Sequence, residues 1–145
     1  MISKRAVMVA LSLAVAGLAG CSGGGPLAPL PVVEPGRGAE LVVIRPSGVF
    51  ACGVSYPVTI DGRAVYALPC GEHVALVVPA GERIFGVKHH VWFSEDENTT
   101  TVHVEAGRRY FLRLDSTGPM SGPVLNRIGD DAGRALMSST TPRRL

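Results

Sequence analysis

Between residues 39 and 137 short apolar, β-branched runs alternate with turn-forming clusters every roughly eight to twelve residues, the punctuation of an all-β sandwich or barrel. Glu40 to Arg45 encloses Leu-Val-Val-Ile, an unbroken apolar run that predicts a strand buried on both faces. His73 to Val78 reads the same way, and Pro79-Ala80-Gly81-Glu82 then turns the chain. Arg83 to Phe93 predicts a long strand bending near Gly86. The charged run Ser94 to Asn98 is expected at a loop tip, and Thr99 to Val104 is expected to return as a strand. Arg108 to Asp115 alternates, with Tyr110, Leu112 and Leu114 on one face and Arg109, Arg113 and Asp115 on the other. Phe111 breaks that alternation and is expected under the C-terminal segment. Asp130 to Met137 predicts one short helix, with Asp130 near its N-cap and Ile128, Ala132, Ala135 and Leu136 as its apolar stripe. The fold class expected is thus an antiparallel β-sandwich of about seven strands with a short C-terminal helix.

Asp61-Gly62 lies between two β-prone runs, Tyr56 to Ile60 and Arg63 to Leu68. A two-residue Asp-Gly connection favours a type I′ hairpin turn, because both central residues must take positive φ. Pairing Ile60 with Arg63 brings Cys52 and Cys70 nearly opposite one another where the hairpin opens, so a disulfide between them is geometrically reachable. The alternative is two buried free thiols packed as small hydrophobes.

The N-terminus carries an address. Lys4 and Arg5 precede an uncharged, mostly apolar run from Ala6 to Leu18, too short to span a membrane as a helix. Leu18-Ala19-Gly20-Cys21 follows and resembles the bacterial lipoprotein signal, which implies that residues 1–20 are removed and that Cys21 carries lipid. An ordinary secretory signal cut near Ala19 is the alternative. Ser22, in place of Asp, points by the same resemblance to the outer membrane, with the domain facing the periplasm. Residues 21–38 are rich in Gly and Pro and are expected to be a tether reaching up to about 50 Å. Residues 39–137 are expected to be the domain, and residues 138–145 a disordered tail.

Charge narrows the partners. Of fourteen Lys and Arg, two (Lys4 and Arg5) lie in the leader, leaving twelve against twelve Asp and Glu. A balanced mature chain gives no nucleic-acid footprint. One lipidated cysteine plus one pair also accounts for all three cysteines of an exported protein.

Val58-Thr59-Ile60-Asp61-Gly62, Pro79-Ala80-Gly81-Glu82 and Ala106-Gly107-Arg108-Arg109-Tyr110-Phe111-Leu112 resemble, with the leader, small bacterial lipoproteins carrying one β-sandwich domain of unknown function. They are also similar to short surface β-domains that repeat a Pro-Glu-Gly-Ala turn. The resemblance implies about seven antiparallel strands and no catalytic residues.

Candidate chemistry is sparse. His89 and His90 are neighbours on a predicted strand and point to opposite faces, so they cannot ligate one metal together. His73 and His103 lie on other strands. There is no Gly-x-Ser-x-Gly elbow, no free thiol for a Cys-His pair, and no calcium-loop spacing in Glu95-Asp96-Glu97. Neither an enzyme nor a cofactor or metal site is expected. Tyr56, Tyr66, Phe85, Tyr110 and Phe111 read as core, and at least one of the adjacent pair Trp92 and Phe93 as exposed. These features suggest a non-catalytic envelope module, held to the membrane by its lipid and contacting an envelope protein or the cell-wall polymer. The alternative is a module binding a glycan or small apolar molecule. An open sheet edge favours the first and a concave pocket the second.

Overall fold

The computed structural model describes residues 23–48, 50–116, 118 and 122–145; the leader and Cys21 lie outside the described residues. In chain order the elements are β1 (Gly25–Pro26), β2 (Gly38–Arg45), β3 (Tyr56–Ile60), β4 (Arg63–Leu68), β5 (Glu72–Pro79), β6 (Gly81–Val91), β7 (Ser94–Val104), β8 (Arg109–Ser116), β9 (Pro123–Ile128), α1 (Asp130–Ser138) and β10 (Thr141–Arg143). The fold is all-β and sandwich-like, but it has ten strands where about seven were expected. They form two five-stranded sheets, β1-β4-β3-β6-β7 and β10-β5-β2-β8-β9.

The second sheet is mixed. The central strand β2 pairs antiparallel with β5 and parallel with β8, and β10 pairs parallel with β5. A wholly antiparallel sandwich is therefore corrected: between β2 and β8 the chain visits the other sheet twice and returns in the same direction. The central position of β2 explains its unbroken apolar run. Leu41 and Val43 face the core between the sheets, while Val42 and Ile44 face outward beneath α1. Each is fully buried, which at about 1.5–3 kcal/mol per large apolar side chain makes this strand a large contributor to stability.

Phe111 lies where its break in alternation placed it, packed with Ile128, Leu136 and Met137 on the outer side of the sheet, while Tyr110, Leu112 and Leu114 enter the main core. The helix presents Gly133 to the sheet; Ala132 and Ala135, expected in its apolar stripe, are exposed. Gly129 occupies the N-cap with Asp130 next to it, and Asp130 and Asp131 sit in the first turn, where carboxylates complement the helix dipole. The reason for Gly133 is steric, since a Cβ there would stand 2.2 Å from Phe111 Cγ. Overpacking of a filled site costs about 1–3 kcal/mol, and alanine in place of glycine returns at most about 1 kcal/mol of helix propensity. Gly133→Ala is thus expected to be net destabilising in urea melts, and to become neutral or stabilising when combined with Phe111→Leu.

Three further expectations need revision. The charged run at Ser94 is not a loop tip: it lies within β7, because Lys88 pairs with Glu95 and Thr59 bonds Glu97. The turn is instead Trp92-Phe93, with Val91 opposite Ser94. Residues 138–145 are not a disordered tail. Ser138 ends the helix, and β10 lies along β5, held by an Arg143–Glu72 ion pair and by His73 Nδ1 against Thr140 Oγ1 at 2.8 Å. Burial lowers the His73 pKa, disfavouring the charged imidazolium. The segment read as a free tether is also laid on the domain. Gly25 and Pro26 pair with Ala67 and Tyr66, and Leu30 packs against the core.

Candidate functional site

The Asp61-Gly62 turn forms as its dipeptide dictates, with φ of 49° and 83°. Ile60 pairs with Arg63, but a bulge between Val58 and Thr59 shifts the pairs beyond it, so that Tyr56 faces Leu68. β3 begins only at Tyr56, and Cys52 lies before it in a loop. Cys52 and Cys70 are nevertheless bridged, with their Cα atoms 5.0 Å apart. The disulfide therefore fastens the loop preceding β3 to the end of β4, a different task from closing two strand ends.

Arg45 holds the same loop from below. It is only 3% exposed, and its guanidinium donates to the carbonyls of Val54 (2.6 Å), Ala51 (2.6 Å) and Leu68 (2.8 Å). The Tyr56 ring lies 4.5 Å from its Cζ. Among the described residues no carboxylate pairs with it. Burial lowers its pKa, although an arginine remains charged under any physiological condition. Carbonyl dipoles and a ring face thus stand in for a counter-ion.

Between this fixed loop and the projecting end of β6 lies a cavity of about 500 Å³. It exists because β6 pairs with β3 only as far as Val87, whereas it continues to Val91 beside β7. The notch above β3 is walled by Phe50, Val54, Tyr56, Pro57 and Val91, and Pro123 closes its far side. Two kinds of polar group meet there. At the rim, Lys88 Nζ lies 2.7 Å from Glu95 Oε1, and the ammonium holds that carboxyl below its usual range. Inside, His89 is buried, and its Nδ1 has no hydrogen-bond partner among the described residues. Gly122, at φ 62°, lets the backbone pass directly over the His89 ring, for a Cβ there would stand 2.5 Å from Nε2.

The other sequence candidates do not converge here. His90 borders the cavity but is exposed on the opposite face from His89; His73 is bound to the C-terminal segment and His103 is exposed. Among the described residues no three His, Cys, Asp or Glu side chains gather to hold a metal ion. Phe50, Val54 and Arg45 went unnoticed in the sequence. Their signal was faint: two apolar residues inside a Gly/Ser loop that carries a cysteine, and a cation ending an apolar strand.

Both residues of the β6–β7 turn are exposed, and Trp92 has φ 58°. A left-handed conformation costs a bulky L-residue about 1 kcal/mol, a position where Asn or Gly would sit freely. Compared with known proteins, the chain matches no family model and finds no match among characterised proteins.

Proposed function

We propose that this is a non-catalytic binding module of the bacterial envelope, tethered through a lipid on Cys21 to the outer membrane and facing the periplasm, that holds a small, largely apolar molecule in the cavity beside His89. The reading rests on the cavity itself: its volume falls in the range of small-molecule sites, and its walls are mostly apolar around a few polar groups. A protein partner added as an extra strand is supported less well, because the edge strands β1 and β10 are two and three residues long and the other two edges, β7 and β9, lie against each other, joined by Asn98 Nδ2 on the Pro123 carbonyl.

Titration of the full-length protein with the apolar dye N-phenyl-1-naphthylamine tests the reading. One saturable site is expected, weakened at least about tenfold by Val54→Trp, which fills the cavity from a side chain outside the core. Dye binding that is unsaturable, or indifferent to Val54→Trp, would sink it.

A further inference from the structure

Of the nine exposed large apolar side chains among the described residues, four, Trp92 (78% exposed), Phe93 (103%), Phe50 (50%) and Val54 (53%), stand together at the end where β3 begins and β6 finishes, while Leu27, Val32, Val77, Ile84 and Leu145 lie elsewhere. The N-terminal segment leaves the domain at that same end. β1 runs antiparallel to β4 with Gly25 opposite Ala67, so Gly24 is level with Leu68, and a Cβ on Gly24 would strike Pro69. Leu68 faces Tyr56, and the Val58–Val87 register puts His89 level with Tyr56. From that level β6 needs three residues to reach Trp92, a rise of about 10 Å. From that level three residues also lead back from Gly24 to Cys21, which can span at most about 10 Å. A lipid on Cys21 would therefore lie within chain reach of the level of the aromatic tip.

We propose that this end rests on the bilayer that holds Cys21, with Trp92 and Phe93 seated among the lipid headgroups and upper acyl chains; the proposal rests on the reading of Cys21 as the lipid-bearing residue. The few residues between Gly24 and Cys21 allow the reach, and the tip supplies the side chains that partition to such an interface. The energetically unhelpful choice of Trp at a left-handed position is then explained by what the tip contacts. Local charge sets the lipid class. Glu95 is balanced by Lys88 and Asp96 is exposed, so among the described residues the tip has no cationic collar to seek anionic lipid, and the fit is to zwitterionic headgroups. The cavity, bounded by Phe50, Val54 and Val91, opens beside the tip and hence at the membrane surface.

Trp92 is the sole tryptophan and reports its own surroundings. The full-length lipidated protein is reconstituted into phosphatidylcholine vesicles with plain or brominated acyl chains. Expected are a blue-shifted Trp92 emission, a loss of roughly half of it to brominated lipid, and protection from aqueous iodide. Phe93→Ser, a change at a wholly exposed side chain, is expected to restore iodide quenching while circular dichroism stays unchanged. Protein that floats with the vesicles yet leaves Trp92 as open to iodide as a free indole would overturn the proposal and leave the anchor standing. Failure to float at all would remove the Cys21 reading and the proposal with it. Shielding found only in native envelope membranes, and not in protein-free vesicles, would assign the tip to a protein partner instead.

Discussion

Arg45→Met is expected to lower the stability of the domain by about 3 kcal/mol and to free the loop that walls the cavity. The side chain is nearly isosteric along its stem, so packing beside Tyr56 is largely kept and the loss is electrostatic. Hydrogen bonds from a charged donor are worth about 1.5–3 kcal/mol each, and three are removed. Part of that gain is offset by the cost of keeping a cation out of water, which the substitution recovers. What remains is the penalty for the Leu68 carbonyl, which loses a buried side-chain donor, and for Ala51 and Val54, which must turn to solvent. Urea melts measure the first effect. The second is read by limited proteolysis, which should find a new cleavage within residues 50–55. A melt within about 0.5 kcal/mol of the parent, a surface-like change, would show that the three bonds are not held in solution.

How far the fold was legible depended on whether a feature was local. The Asp61-Gly62 turn, the double-sided burial of Leu41 to Ile44 and the place of Phe111 follow from periodicity and turn chemistry, and each stands in the structure. The parallel pairing of β2 with β8 does not, because strand neighbours separated by some seventy residues leave no trace in either strand's own pattern. Glycine misled in one direction: Gly133 reads as weak helix, yet its missing Cβ is what lets the helix approach Phe111. Charge misled in another. Ser94 to Asn98 looks like solvated loop because its partners, Lys88 and Thr59, lie on other strands.

The candidate site was less legible still. It is made by an absence, the early end of β3 beside a longer β6, and relative strand length appears only once register is known. His89 and His90 are expected to point to opposite faces, and they do. The same alternation that separates them turns His89 inward, past Phe85 and Val87, to the mouth of the core. At least one of the neighbouring Trp92 and Phe93 is expected to be exposed; as the two residues of a turn, both are.

The second large effect concerns the bridge. Cys52→Ser with Cys70→Ser is expected to cost about 3 kcal/mol, the entropy restored to an unfolded chain once a loop closed over a separation of 18 residues is released. Arg45 changes how that loss is distributed. Its bonds to Ala51 and Val54 fix the residues on either side of Cys52, so without the disulfide the loop still has one tie to the sheet, and without Arg45 it still has the other. Removing both leaves residues 46–55 with neither. The triple variant should therefore lose more than the two separate losses added together, a coupling of about 1 kcal/mol or more between neighbouring constraints. Dye binding follows the same logic, surviving in weakened form when either tie is cut and vanishing when both are, because Phe50 and Val54 form the cavity wall only while the loop is held. Strict additivity of the two losses in urea melts, with dye binding intact, would mean that the wall is fixed by contacts other than this pair.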